Sequence, residues 1–369
     1  MIADSERDAD MLYATGLFVP SPFIYLQKNS QVHLVLSDLE IDRATKHCPD
    51  ATIHSYSELL ARALQDGIRR PNLGHLAALL LRKLRMKRVK VSMTFPHALA
   101  ETIKKIEPSA RLATGQLFPQ RAVKTPSECR KIKQILNITQ EGLRAGISLI
   151  RKAKIKKDGK LYLENHPLTS EYVRSAIHTQ ISARGGIPCN TIVAGGNQAC
   201  DPHERGHGPL KANQPIIVDV FPRSESTGYF GDITRTVVKG RASEALRRIY
   251  HSVAQAQQKA MDLLRAGVRA QKVHLGVEQI FKTHGFETSQ HQGHMQGFFH
   301  GTGHGLGLDI HEAPSVGQTS SDTLKAGNVV TVEPGLYYPG TGGVRIEDVV
   351  IVGNRRPRKL TDFEQVLEL

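Results

Sequence analysis

The chain has 369 residues, of which 40% are hydrophobic, and a formal net charge of +14 at pH 7. This length favours two domains, and no apolar run approaches the ~20 residues that a membrane-spanning helix requires. Much of the positive charge lies in clusters at residues 82–90, 151–160 and 355–359. Binding to single-stranded nucleic acid would favour aromatic residues interleaved with these charges. Aromatic residues are not interleaved with them here. We interpret the clusters as solvated surface and do not expect nucleic acid as a partner.

The cysteines and the start of the chain bear on the compartment. Cys48, Cys129, Cys189 and Cys200 are scattered without CxxC spacing, which favours free thiols over a disulfide framework or a zinc ribbon. The first ten residues are polar and acidic, unlike a signal peptide. We therefore expect a cytoplasmic protein without a membrane partner.

Residues 1–121 predict a small α/β domain. Strands are expected at residues 23–27 and 32–37, joined by a turn. An apolar-striped helix at 73–84 precedes a further strand at 89–93. Strands that alternate with helices indicate a partly parallel sheet. We find no set of catalytic residues in this part of the chain.

A segment with two prolines, residues 119–126, separates this domain from the rest. Thr125, Pro126 and Glu128 form a pattern typical of a helix start, and an apolar helical stripe follows. We place the boundary at about residue 122, so that the second domain comprises residues 122–369. Within it we expect buried strands at 216–221 and 233–238, and helices at 243–264 and 273–282.

Four acids in or beside apolar, β-branched runs suggest a metal site. A carboxylate within a buried strand is costly unless it is paired or bound to a cation. One such acid would favour pairing with Arg or Lys, but several together with a glycine-flanked histidine favour a metal. The candidate ligands are Asp219, Asp232, His304, Glu333 and Glu347. They suit two divalent ions; the oxygen ligands favour Mn²⁺, and the imidazole also admits Zn²⁺, Co²⁺ or Fe²⁺.

Further polar residues could assist the chemistry of such a site. Attack of an activated water on a carbonyl needs hydrogen-bond donors for the oxyanion and a route for the proton. His203, His300 and His311 could serve, although each could equally be an ordinary loop histidine. Arg345 lies two residues before Glu347, and we predict that both lie on one strand face. Arg345 could orient a carboxylate or bind substrate.

The ordered ligand residues carry a family resemblance. Together with the motifs HGTGHGLGLDIHE, VEPGLY and VRIEDVV, they resemble the M24 metallopeptidases of the creatinase and methionine aminopeptidase superfamily, most closely the aminopeptidase P and prolidase branch. The resemblance covers about residues 122–369 and extends more weakly, through LYATGL, to the N-terminal domain. It implies an α/β N-terminal domain of the creatinase type, followed by an α+β pita-bread catalytic domain.

The resemblance also implies residue roles. Asp219 would chelate one metal ion, Asp232 and Glu347 would bridge two, and His304 would bind the second. Glu333 would complete that second site and act catalytically by shuttling a proton. His203 and His311 would be catalytic histidines, whereas His300 and Arg345 would bind substrate.

The implied function is a two-metal exopeptidase that cleaves Xaa-Pro bonds at the N-terminus of peptides. The alternative within the family is an Xaa-Pro dipeptidase, or prolidase. A non-hydrolytic binding protein and a creatinase-type or lyase-type relative are further alternatives. We expect a small peptide substrate and a homo-oligomer, a dimer, formed through or beside the N-terminal domain.

Two departures from the family pattern affect substrate preference. The family usually has a small residue two positions after the first aspartate; here that residue is Phe221, followed by Pro222 and Arg223, and the chain lacks tryptophan. An aromatic wall for proline would then come from Tyr229, Phe298 or Phe299. Because neither Arg345 nor Arg223 is clearly dedicated to a C-terminal carboxylate, we favour peptides longer than dipeptides.

Overall fold

The structure, a computed structural model, describes residues 1–291 and 293–369. It separates into two compact units, Met1–Arg121 and Ala122–Leu369. Every helix in the described part of the chain is too short or too polar to cross a membrane.

The first unit contains two small sheets and five α-helices among its described residues. The helices are α1 (Ala9–Thr15), α2 (Ile41–His47), α3 (Tyr56–Gln65), α4 (Leu73–Lys83) and α5 (His97–Ile106). The strands are β1 (Ile2–Ala3), β2 (Phe23–Lys28), β3 (Gln31–Leu36), β4 (Ala51–Ser55), β5 (Arg88–Val91) and β6 (Arg111–Thr114). The four-stranded sheet has the order β1-β2-β3-β4, with β3 and β4 parallel, and β5 pairs with β6 in parallel. The sheet is therefore partly parallel, as predicted, but β5 ends two residues before the predicted strand.

The four-stranded sheet of this unit is covered on both faces, which explains its continuous apolar strands. Successive residues of a strand point to opposite faces. Ile24 and Leu26 pack against the helix α4, whereas Phe23 and Tyr25 join a second core. A strand that is buried on both faces reads as an unbroken apolar run rather than an alternating one.

The second unit has four long helices and many short strands. The helices are α6 (Pro126–Lys152), α7 (Ser170–Ser182), α8 (Glu244–Leu263) and α9 (Ala270–Thr283). The first strands are β7 (Lys154–Ile155), β8 (Leu161–Leu163), β9 (His166–Pro167), β10 (Gly186–Ile187), β11 (Ile192–Gly195), β12 (Pro215–Val220), β13 (Arg223–Ser224) and β14 (Ile233–Val238). The others are β15 (Ser289–His291), β16 (His294–Gln296), β17 (Gly303–Gly305), β18 (Glu312–Val316), β19 (Val329–Val332), β20 (Gly335–Tyr338), β21 (Gly342–Arg345), β22 (Asp348–Ile351) and β23 (Arg358–Lys359). The helix predicted at 273–282 thus begins three residues earlier.

Two sheets of the second unit carry the candidate ligands. One has the order β11-β12-β14 and packs its apolar side chains against α6 and α7. The other has the order β18-β17-β19-β22-β23 and packs against α8 and α9, together with the β20–β21 hairpin. Helix α6 begins with the predicted capping arrangement, because Thr125 and Glu128 exchange side-chain-to-backbone hydrogen bonds around Pro126. The helices pack against the apolar side chains of the two sheets, and the ends of the strands remain available to form a site.

Candidate metal centre

Strand pairing brings two of the acids to the same end of one sheet. Asp219 lies near the end of β12, opposite Thr234 of the antiparallel strand β14. Asp232 immediately precedes β14. Asp219 and Asp232 are 8% and 4% exposed, so both carboxylates are removed from bulk water.

The other three candidate ligands come from the second sheet. His304 is the central residue of β17, Glu333 directly follows β19, and Glu347 directly precedes β22. The backbone of β17 approaches its neighbours closely, and a Cβ atom at Gly303 would lie 2.0 Å from the carbonyl oxygen of Thr331. Glycine is required there so that His304 can lie beside the end of β19.

The five candidate ligands meet in one place. His304 Nε2 lies 3.2 Å from Glu333 Oε1 and 3.7 Å from Asp232 Oδ2. One ligand atom each from Asp232, His304 and Glu347 lie within 4.8 Å of one another. This spacing and donor set suit a divalent cation of borderline or hard character.

Asp219 supports the same interpretation through an unsatisfied atom. Its Oδ2 accepts a hydrogen bond from Arg345 Nη2 at 2.7 Å. Within the described residues, its Oδ1 is buried and has no hydrogen-bond partner. A buried oxygen without a partner costs free energy, and a cation beside Asp219 would remove that cost. The residues therefore fit a bound metal.

The electrostatics of the cluster point to missing positive charge. Burial, followed by repulsion from neighbouring carboxylates, raises the pKa of Asp232 and Glu347 well above the usual range. Burial also opposes ionisation of Glu333, but the hydrogen bond and charge of His304 outweigh it and lower the pKa of Glu333 to about 2. Carboxylates packed so closely cannot all ionise without a proton or a cation to offset their repulsion.

Arg345 is buried and fully engaged within the protein. Its guanidinium donates to Tyr337 Oη at 2.9 Å, to Asp219 Oδ2 at 2.7 Å and to the carbonyl of Pro202 at 3.4 Å. The prediction that Arg345 and Glu347 share a strand face is wrong. Arg345 is the last residue of β21, which belongs to the β20–β21 hairpin. The chain then enters the five-stranded sheet, in which β22 begins at Asp348. An apolar run does not reveal such a change of sheet.

His300 is partly buried and is hydrogen-bonded to a group whose other members, Tyr337 and Arg345, are buried. Its Nε2 lies 2.8 Å from Tyr337 Oη, and its Nδ1 lies 2.7 Å from the carbonyl oxygen of Gly301. Burial lowers the pKa of His300 to about 4 and raises the pKa of Tyr337 to about 12, so both are neutral at pH 7. Tyr337 therefore links His300 to Arg345, and through it to Asp219.

His203 and His311 are exposed to the space in front of the cluster. The ring of His311 packs edge-on against His304, with 4.4 Å between centroids. His203 lies in the loop between β11 and β12, where its N–H donates to Asp201 Oδ1. With these two, all nine residues singled out from the sequence line one cavity of about 880 Å³.

Of the three aromatic residues named as alternatives for a wall, one lies at the cavity and two do not. Phe299 lines the cavity, together with Phe221 and Ile310. Phe298 is instead part of the core, packed against His274 and Phe281. Tyr229 is not among the residues that line the cavity; its hydroxyl donates to Glu128.

Sequence reasoning missed several residues that support the candidate ligands. Thr234 donates its hydroxyl to Glu347 Oε2 at 2.8 Å, and Arg235 donates to the carbonyl of Glu347 at 2.6 Å. Arg235 is 1% exposed and also pairs with Asp348. The signal was present, since an arginine in the apolar run of β14 is as costly as Asp219 in β12.

Solved structures share the fold of this chain. An X-Pro aminopeptidase of Thermotoga maritima superposes with a TM-score of 0.80 at 21% identity, covering 100% of this chain and 96% of that one. An Xaa-Pro dipeptidase of Bacillus anthracis gives a TM-score of 0.83 at 23% identity, covering 98% and 93%. These similarities confirm the predicted fold class, an α/β N-terminal domain followed by a pita-bread domain.

Sequence comparison identifies the family. The chain is 30% identical over 248 residues to an Xaa-Pro dipeptidase of Pyrococcus furiosus, which covers 67% of this chain and 65% of that protein. The match therefore spans just under two thirds of the relative's length. Residues 130–354, which contain all nine candidate site residues, match the profile of metallopeptidase family M24. The chain belongs to metallopeptidase family M24.

Proposed function

We propose that this chain is a two-metal exopeptidase that hydrolyses Xaa-Pro bonds at the N-terminus of peptides, with Mn²⁺ as its metal. The observation that carries the proposal is the grouping of four carboxylates and His304 at one cavity, where the buried Asp219 Oδ1 has no hydrogen-bond partner among the described residues. Asp219, Asp232, His304, Glu333 and Glu347 are the proposed ligands. When bound, divalent ions supply Lewis acidity and lower the pKa of water.

The protein's own side chains provide the remaining chemistry in this proposal. Glu333 is ionised and accepts a proton from the attacking water, then returns it towards the leaving nitrogen. His203 and His311 face the cavity and donate hydrogen bonds to the developing oxyanion. Arg345 fixes the carboxylate of Asp219, while the neutral His300, held by Tyr337, contacts the substrate.

The substrate preference follows from the chemistry of proline. The nitrogen of an Xaa-Pro bond carries no hydrogen, so the ring must be positioned by shape and not by a hydrogen bond. Phe221, Phe299 and Ile310 supply apolar surface beside the cluster. An Xaa-Pro dipeptidase is the second candidate, favoured by the similarity to the Pyrococcus furiosus enzyme. The dimer and the cytoplasmic location remain predictions.

Peptide hydrolysis tests the proposal. Mn²⁺-loaded protein should release the first residue from Xaa-Pro-Yaa and leave the matched Xaa-Ala-Yaa and N-acetylated peptides intact. Chelation should abolish this activity and Mn²⁺ should restore it. The variant Asp232→Asn should be inactive, whereas Asp262→Asn, an exposed acid on α8, should match the wild type. A metal-loaded protein that cleaves no proline peptide would contradict the proposal.

A further inference from the structure

A second arginine lines the cavity that holds the cluster. Arg205 lies in the loop between β11 and β12, two residues after His203, and its side chain is exposed. Its only hydrogen bonds in the described part of the chain are made by its carbonyl oxygen, which accepts from Val193 N and Arg174 Nη1. A guanidinium without an anionic partner, facing a substrate cavity, is available to a ligand.

The backbone that carries Arg205 is fixed. The hydrogen bond from Val193 N to the carbonyl oxygen of Arg205 measures 3.0 Å. Arg174 Nη1 also donates to the carbonyl of Gly206 at 2.8 Å. Gly206 has a φ of +78°, and a Cβ atom there would lie 1.8 Å from the carbonyl oxygen of Val193. The loop is thus held against β11, which limits the freedom of Arg205 to its side chain.

The acids in the loop do not neutralise Arg205. Glu204 Oε1 accepts a hydrogen bond from Gly206 N at 2.9 Å, and Asp201 Oδ1 accepts one from His203 N at 3.0 Å. Both carboxylates are therefore directed to the backbone. The charge of Arg174 interacts with that of Arg205, but it has the same sign and offers no compensation.

The other cavity arginine is already engaged. Arg345 is 3% exposed and donates to Asp219, Tyr337 and Pro202. Moving it to a substrate would leave the buried Asp219 without its partner, which is strongly unfavourable. Of the two arginines that line this cavity, Arg205 is the one that can bind an anion without breaking an internal ion pair.

We propose that Arg205 determines substrate specificity by binding a carboxylate of the peptide. The carboxylate is either that of the proline in an Xaa-Pro dipeptide or one carried by the residue that follows proline. A guanidinium suits either source because it binds a carboxylate with two parallel hydrogen bonds. The inference rests on the proposed function, since it names the substrate class of the same site.

Matched peptide pairs test this role. Rates are measured for Xaa-Pro against Xaa-Pro-amide, and for Xaa-Pro-Glu-amide against Xaa-Pro-Gln-amide. In the wild type, kcat/KM should favour the carboxylate member of at least one pair. Arg205→Ala should lower that preference about 10- to 100-fold, as expected for loss of a charge-assisted pair. The loss should lie mainly in KM, and Arg205→Lys should restore part of it.

The two pairs separate the sources of the carboxylate. A change confined to the dipeptide pair assigns Arg205 to the C-terminal carboxylate, and a change confined to the other pair assigns it to an acidic side chain. Calorimetric binding of peptides with a reduced scissile bond should show the same loss of affinity. Arg355→Ala, at an exposed residue far along the chain, serves as the control and should keep the wild-type preferences.

Two negative outcomes have different meanings. If the wild type cleaves proline peptides and Arg205→Ala leaves both preferences unchanged, the role of Arg205 is wrong and the proposed function stands. If the metal-loaded wild type cleaves none of the peptides, the proposed function itself fails.

Discussion

Replacement of Arg235 by methionine should destabilise the second unit and loosen its proposed metal site. The Arg235 side chain is 2% exposed, and all of its hydrogen-bond acceptors lie inside the protein. Nε donates to Glu364 O (2.9 Å), Nη1 to Thr234 O (2.9 Å) and Glu347 O (2.6 Å), and Nη2 to Asp348 Oδ1 (2.9 Å) and Phe363 O (2.7 Å). Methionine keeps much of the apolar stem but none of the donors.

The size of the effect follows from what is left behind. Removing one partner of a buried ion pair costs about 3–5 kcal/mol, because the other charge remains buried. Asp348 is 0% exposed but retains Lys359 Nζ at 2.8 Å and Thr361 Oγ1 at 2.7 Å. We therefore expect the free energy of unfolding to fall by about 3 kcal/mol, the lower end of this range. Urea unfolding monitored by circular dichroism measures this change. Because Glu347 loses an anchor, metal affinity should also fall about 10- to 100-fold.

Two further variants serve as controls for the effect of burial. Arg151→Met removes an ion pair with Glu364, in which the two side chains are 50% and 60% exposed. This variant should lower the free energy of unfolding by less than about 1 kcal/mol. The double variant Arg235→Met with Asp348→Asn should be less destabilised than the sum of its single variants, because no buried charge is left unpaired. If Arg235→Met were no more destabilising than Arg151→Met, the reasoning from burial would be refuted.

Two other predictions concern histidines. His203→Ala and His311→Ala should each keep bound metal and lose about 10²–10⁴-fold in kcat, as for a lost oxyanion or acid–base group; loss of metal would instead make that residue a ligand. In the first unit, His33 Nδ1 lies 3.2 Å from His54 Nε2, and burial lowers the pKa of both. Their folded-state pKa values lie below the unfolded value of about 6.5, so stability is lost as pH falls from about 6.5 through the lower folded-state values. His33→Asn should flatten this dependence in melting curves between about pH 5 and 7, and an unchanged slope would exclude the pair as its cause.

The proposed ligands could be named from the sequence because several of them break a local rule. A charged residue in an apolar strand, such as Asp219, is expensive without a partner, and that expense is visible without coordinates. Glu333 and Glu347 stand beside β-branched runs, so the same argument applies to them. The glycines around His304 likewise indicate a close approach of the backbone, which the Cβ distance at Gly303 bears out.

The supporting residues depend on contacts that the sequence does not display. Arg235 broke the same rule as Asp219, yet its acceptors at Glu347 and Phe363 lie more than 100 residues away. Arg205 sits in a polar loop where an arginine is unremarkable, and only the fold places it at the cavity. Nothing in the sequence distinguishes Tyr337 from an ordinary strand residue, and its role depends on the partners that it meets in the folded chain, His300 and Arg345.

The metal content of the purified protein tests the central claim most directly. After saturation with Mn²⁺ and removal of free ions, elemental analysis should find about two ions per chain in the wild type. Asp232→Asn should hold fewer, because in the proposed site Asp232 would serve both ions, whereas Asp262→Asn should hold the wild-type number. A saturated wild-type protein with no bound metal, or an Asp232→Asn variant with full occupancy, would contradict the two-metal site.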